Sequence, residues 1–312
     1  MKRLPEETSL EAFQIARSAL DCFDLYMVAL KFLPHLGSMQ EARRRRMRTS
    51  EMKVCIRGGG DLASGIAWRL HQSGFKVFIT EIELPMAVRR KVAFCEAVYD
   101  GKAVVEDVEA LLVSNAGDIP RAWEQGKIPL LVDPACEVKR DVNPHVLVDA
   151  ILAKRNLGTT LQDAPLVIAL GPGFEVGKDA HYVVETNRGH NLGRLLTSGC
   201  AEPNTGVPGP VQGITAERVL RAPKDGIWES NSEIGHLVRK GQEVGVVDGA
   251  NVAAQIDGVL RGLIRSGIAV REGLKIGDID PRGKKEYCYT ISEKALAIAG
   301  GVLEGILRSL RA

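Results

Sequence analysis

Val54-Cys-Ile-Arg-Gly-Gly-Gly-Asp-Leu-Ala-Ser-Gly-Ile-Ala67 decides how the rest of the chain is read. A short β-branched run enters a glycine cluster and leaves as a helix. Gly58, Gly60 and Ala63 match the G-x-G-x-x-G/A spacing, and Gly59 and Asp61 complete the corner. In that pattern the first glycine makes the turn, the second lets the backbone approach a pyrophosphate, and the small third residue lets helix and strand pack closely. The helix N-terminus then offers unpaired N–H groups to the anion. A second strand, Lys76-Val-Phe-Ile-Thr80, ends at Glu81, 21 residues past Gly60, where a dinucleotide site places a carboxylate for ribose hydroxyls. Without a ligand, the same stretch reads as a tight βα turn in a doubly wound domain. The pattern places a site and does not name a reaction.

Working outward, the chain alternates strand and helix from Lys53 onward. The first helix is expected near Leu62–Ser73, a second over Met86–Phe94 carrying Arg89, Arg90 and Lys91, a third around Val108–Ser114, and a short one at Trp123. Ile128–Asp133, His145–Asp149, Leu166–Leu170 and Tyr182–Glu185 are apolar runs of the kind that parallel strands make when both faces are buried. Ligands of open α/β sheets lie beyond the carboxyl ends of the strands. The candidates there are Lys154, Arg155 and Asn156 after one strand, and the loop Glu185-Thr-Asn-Arg-Gly-His190 after another. Arg155 and Arg188 suit bidentate capture of a phosphate or carboxylate, Asn187 adds an amide, and His190 titrates near neutrality. The alternative for both loops is a solvated turn.

The C-terminal third repeats itself. Asp225-Gly-Ile-Trp228 recurs as Asp257-Gly-Val-Leu260, and Ile234–Gly241 with Val244–Asp248 recurs as Ser266–Gly273 with Ile276–Asp280, at an offset of 32 residues throughout. Each copy reads as short strands between glycine turns, and two interlocked copies bury a face neither buries alone. This is similar to biotinyl/lipoyl barrel-sandwich domains. The joining hairpin Gly249–Ile256 holds no lysine, so covalent biotin or lipoate is not expected. A final helix is expected with a Thr290/Glu293 capping box and a buried stripe of Leu296, Ala299, Leu303 and Ile306.

Composition is that of an ordinary globular chain: 312 residues, 45% hydrophobic, 26% charged, 5% aromatic, 33 glycines. No run approaches the ~20 apolar residues of a membrane span, and no secretory signal opens the chain. Six scattered cysteines without a CxxC pair argue for reduced thiols in the cytoplasm and against a zinc site, and Cys200 reads as an inert thiol in a turn. Residues 1–51 hold nine Lys/Arg and seven Asp/Glu; set against chain totals of 41 and 39, they leave the remainder with 32 of each sign. Nucleic acid is therefore not an expected partner. Residues 1–51 read as an amphipathic helix (Thr8/Glu11 cap; Phe13, Ala16, Leu20, Phe23, Met27, Leu30) and the basic linker Arg43–Arg46, appended to the body or added by a misplaced start. The expected domains are thus 1–51, a Rossmann-like nucleotide-binding domain at 52–221, a barrel-sandwich-like domain at 222–285 and a terminal helix at 286–312.

With these residues laid out, the chain resembles the YqeB family of selenium-dependent molybdenum hydroxylase maturation proteins. The resemblance rests on Ile56–Ala67, Ile79-Thr-Glu-Ile-Glu83 with Ala87–Lys91, Ala153–Thr160, Gly171–Phe174, Val184–His190, Ala201–Pro208 and Gly273–Arg282, and runs from Met52 almost to the end. The nucleotide domain is also similar to that of XdhC-type proteins, implicated in handling molybdenum cofactor before insertion. The resemblance implies an accessory role in preparing that cofactor, with labile selenium, for a xanthine dehydrogenase-like hydroxylase. The implied ligand is molybdenum cofactor or its dinucleotide form, with NAD(P) the alternative. The implied partners are the hydroxylase and its maturation proteins, and a homo-oligomer is allowed. An NAD-dependent oxidoreductase using His190 or Lys154, and a non-enzymatic scaffold docking a hydroxylase, are the competing readings.

Overall fold

In the computed structural model, residues 48–311 are described; the helix and basic run expected within residues 1–47 lie outside them. A nine-stranded sheet forms the larger part, in the order β3-β4-β5-β2-β1-β6-β7-β8-β9. Its strands are β1 (Lys53–Arg57), β2 (Lys76–Glu81), β3 (Lys102–Val105), β4 (Val108–Leu112), β5 (Ile128–Val132), β6 (Val146–Asp149), β7 (Leu166–Leu170), β8 (Tyr182–Val184) and β9 (Leu195–Leu196). All neighbours from β4 to β8 are parallel, and the hairpin partners β3 and β9 run antiparallel at the two edges.

The period of two along the strands sorts side chains into two cores. Val54, Ile56, Val77, Ile79, Val146, Val148 and Ile168 face α1 (Asp61–Gln72) and a long C-terminal helix (Glu293–Ser309). Cys55, Phe78, Leu147, Val167 and Ala169 face the opposite way, toward Ile119 and Ala122 of a short helix at Ile119–Glu124. Fully burying each such aliphatic side chain contributes on the order of 1.5–3 kcal/mol. The C-terminal helix is thus built into the core of the parallel sheet. A Cβ on Gly65 of α1 would come within 2.8 Å of the Ala295 Cβ, so the absence of a side chain sets how closely these two helices approach.

Beyond residue 218 the chain forms two four-stranded antiparallel sheets. One is ordered β10-β17-β15-β12 (Val219–Arg221, Lys275–Asp280, Gly258–Leu263, Leu237–Val238) and the other β14-β13-β11-β16 (Ala250–Ala253, Glu243–Val247, Gly226–Ser230, Ile268–Val270). They share one core around Trp228, Val244, Leu260, Leu263 and Ile276. The copies at the 32-residue offset are exchanged between the sheets: β11 and β13 of the first copy lie in one, and their counterparts β15 and β17 in the other. The pairing of Leu237 with Val259 has its image in that of Ala269 with Ile227.

Three expected elements differ. Met86–Phe94 is not an α-helix but 3-10 turns at Arg90–Val92 and Phe94–Glu96, because its polar groups are committed elsewhere. Phe94 N–H donates to Ser64 Oγ at 2.7 Å, Cys95 N–H to the Gly59 carbonyl at 2.9 Å, and the Val88 carbonyl accepts from Leu263 N–H at 2.7 Å. Val108–Leu112 is a strand rather than a helix, joined to β3 by a tight turn in which Glu106 takes a positive φ of 53°. A five-residue apolar run cannot be assigned from periodicity alone. The last helix is capped by Ser292, whose hydroxyl accepts from Ala295 N–H, and not by Thr290.

Candidate functional site

The parallel sheet changes direction of growth between β1 and β6: β2 and β5 lie to one side, β7 and β8 to the other. That switch leaves a crevice at the carboxyl ends of the strands, and the glycine corner opens onto it. Gly58 has φ +93°, and a Cβ there would come within 3.2 Å of the Ala150 carbonyl oxygen. A Cβ on Gly59 would lie 3.0 Å from Cys95 N. At Gly60, the N-cap of α1, an added Cβ would meet nothing within 4 Å. The chain around the corner is tightly held while the face presented at Gly60 is open. The first amides of a helix have no intrahelical acceptor, so α1 presents them toward this space.

Glu81 closes the corner from β2. Its Oε2 accepts the Gly59 N–H at 2.7 Å and its Oε1 the Ile82 N–H at 2.8 Å. Burial pushes this carboxyl above the usual range, and the two amide hydrogen bonds pull it part of the way back. Arg57, at the end of β1, donates to Asp149 Oδ2 at 3.4 Å and to Thr159 Oγ1, bridging the switch point; Thr159 Oγ1 also donates to Asp149 Oδ2 at 2.6 Å. A cavity of about 600 Å³ lies here, lined by Gly58, Gly60, Asp61, Ala63, Glu81 and Arg57. Its rim carries exposed apolar side chains, Ile82, Met86, Ile151 and Leu157. It combines the backbone of a helix start and several carboxylates with apolar walls.

A second cavity of about 820 Å³ adjoins it, sharing Asp61, Leu62, Arg89, Leu152, Lys275 and Asp278. Of the loop candidates, Lys154, Asn187 and Arg188 line this second space. Arg188 pairs with Glu293 at 2.5 Å, and Asn187 Nδ2 donates to Glu202 Oε2 at 2.6 Å. Arg155, Asn156 and His190 are not brought to either cavity. Arg155 and His190 are exposed. Asn156 pins its own loop, its Oδ1 accepting from Gly158 and Thr159 N–H at 2.9 and 2.8 Å. Buried Glu185 likewise organises the second loop, accepting from Thr186, Asn187 and Glu202 N–H at 2.6 to 2.7 Å. Cys200 is an exposed, free thiol in a bridge with Glu175.

Sequence reading misses Arg57, Arg89, Arg218, Arg261, Lys275 and Lys294. Arg89 reaches the Tyr287 and Thr290 carbonyls at 2.9 and 3.0 Å, and Arg218 pairs with Asp278. Only the packing of the antiparallel sheets beside the glycine corner brings these side chains together. Arg261 and Lys275 stand within β15 and β17, Arg57 ends β1 and Lys294 is on the C-terminal helix, so no local pattern marks them as a group.

Together these features define an α/β protein with a crevice at the switch point of a mostly parallel sheet, lined in part by an antiparallel β module. No helix among the described residues is long and apolar enough to cross a membrane. No family model matches the chain. It is 50% identical over 254 residues to a protein of Escherichia coli (strain K12) carried under the name uncharacterized protein YqeB, a match that takes in 81% of this chain and 47% of that one. The chain thus spans about half the length of the curated relative it matches. Among solved structures, TcdA (CsdL) aligns over 85% of this chain and 90% of that one at 10% identity and a TM-score of 0.29. An aspartoacylase family protein of Mesorhizobium loti aligns over 73% and 84% at 11% identity and 0.24. At TM-scores this low the likeness carries no argument.

Proposed function

We propose that this chain is a member of the YqeB family acting as an accessory protein in the maturation of a selenium-dependent molybdenum hydroxylase, and that it binds molybdenum cofactor or another nucleotide-type ligand at the glycine corner. In this reading the parallel sheet is Rossmann-like and the antiparallel pair is a barrel-sandwich module that walls the site. The observation that carries the proposal is the open face at Gly60 held beside a half-buried carboxylate, Glu81, in a cavity with apolar walls. The residues present fit a pterin dinucleotide: the Gly60–Asp61 amides would hold a phosphate, Glu81 a ribose diol, and Ile82, Met86 and Ile151 a flat ring. The 50% identity to YqeB supports the family assignment. When bound, the cofactor would supply the metal's redox chemistry to the hydroxylase that receives it; the residues of this chain bind and orient it.

An oxidoreductase reading built on His190 has less support, because that imidazole is exposed and lines neither cavity. Native mass spectrometry of freshly purified full-length protein tests the proposal. It predicts a non-covalent adduct that is released on denaturation as a fluorescent pterin nucleotide. An adduct of NAD(P), or a chain that carries no pterin and takes none up from added cofactor, would overturn it.

A further inference from the structure

The second cavity is lined by more cations than carboxylates: Arg188 is paired with Glu293 from outside the lining, while Lys154, Arg221 and Lys294 have no carboxylate within 4 Å among the described residues. Eight cations line it (Arg89, Arg188, Arg218, Arg221, Arg261, Lys154, Lys275 and Lys294) against three carboxylates, Asp61, Glu202 and Asp278. Those carboxylates are already committed. Asp278 is shared between Arg218 and Lys275, Glu202 accepts from Asn187 and Asn191, and Asp61 lies 3.7 Å from Arg89. Asp280 takes three hydrogen bonds from Arg282, one of them from its backbone N–H, and stands 3.7 Å from Arg261.

Three of the guanidinium groups are recessed: Arg89, Arg218 and Arg261 are 8%, 8% and 6% exposed. Arg89 and Arg218 each keep a buried Nε–H with no acceptor. Each of the three has a carboxylate nearby (Asp61, Asp278 and Asp280), so what lacks a partner is the recessed Nε–H of Arg89 and of Arg218 and not the whole charge. Lys294 stands in the first turn of the 17-residue C-terminal helix, where the dipole disfavours a cation. Burial and the neighbouring Arg188 make its protonated form harder to keep. These unfavourable terms share one remedy, a multiply charged anion in the cavity.

We infer that this second cavity is an anion site in its own right and takes an oligophosphate, a run of two or more linked phosphates. A single small anion would answer one or two of cations that stand on separate elements: the first turn of the C-terminal helix, the 186–188 loop, Lys154, and the β10, β15 and β17 side of the module. Linked phosphates carry several charges over a length suited to a space of about 820 Å³. The site stands whether or not a nucleotide occupies the glycine corner, though a long ligand could reach both.

Titration calorimetry of the full chain with inorganic tripolyphosphate tests it, with orthophosphate and sulfate at matched ionic strength as comparisons. Saturable tripolyphosphate binding is expected, at least tenfold tighter than orthophosphate. It should weaken at least tenfold in Lys154→Gln/Lys294→Gln, hold in Lys154→Arg/Lys294→Arg, and stay unchanged in Lys178→Gln, an exposed lysine that lines neither cavity. No saturable binding, or equal binding by sulfate, would overturn the inference. So would loss of binding in Gly60→Val with none in Lys154→Gln/Lys294→Gln; that result would leave the glycine-corner reading standing.

Discussion

Glu81 and Gly59 are joined across the glycine corner, the carboxylate Oε2 accepting the glycine N–H at 2.7 Å. The acid ending the second strand is therefore part of the corner's own architecture as well as a candidate ligand contact. Because burial raises its folded pKa, the native chain holds this proton more tightly than the unfolded chain does. Its contribution to stability is full below the unfolded pKa and falls as pH rises toward the folded one. Glu81→Gln should remove that decline, so the difference in melting temperature between variant and wild type should change across the acid range. Binding of a ribonucleotide should weaken about tenfold or more in the variant, as expected for a charge-assisted hydrogen bond, and less for its deoxy analogue. A flat difference across the acid range would show that Glu81 titrates like an exposed carboxyl.

The three glycines of the corner have separable roles. Gly58→Ala forces a side chain into a positive φ and against the Ala150 carbonyl, and should destabilise the chain by about 1–3 kcal/mol. Gly60→Val points into open space and should cost no more than about 1 kcal/mol as a poor N-cap, while blocking the anion. Denaturant unfolding of both variants checks this, and equal destabilisation would contradict it.

Arg188 pairs with Glu293, but both groups reach solvent. Arg188→Ala should therefore change stability by less than about 1 kcal/mol, while weakening anion binding in the second cavity several-fold. A large loss of stability would instead assign Arg188 a structural role.

Much of the corner was legible in the sequence because its constraints are local. Gly58, Gly60 and Ala63 sit at fixed offsets in one βα turn, and the acid at the end of the next strand is set by the length of one helix. The 32-residue offset was legible for the same reason: each copy repeats its own turn glycines. The cationic wall was not, because Arg89, Arg218, Arg261 and Lys294 are scattered along the chain and meet only through packing. Arg155 and His190 lie outside both cavities, because residue type says what a side chain can do and not where its backbone points it. Asn156 bonds the backbone of its own loop, as Asn does in turns, and lines neither cavity.

The contact between α1 and the C-terminal helix gives a fourth test. Gly65→Val would drive a side chain against Ala295 and Ile291 and should cost about 1–3 kcal/mol by overpacking. Chemical denaturation followed by tryptophan fluorescence reads this out. Wild-type stability in the variant would show that the C-terminal helix does not depend on close contact there.

The central claim is that the open amides at Gly60 seat a nucleotide's phosphate. Its most direct test is equilibrium binding of ADP and CDP to wild type and to Gly60→Val, side by side with their melting temperatures. The account predicts saturable binding to the wild type and at least a tenfold loss in the variant, with little change in melting temperature. Equal affinity in the two folded proteins would contradict it.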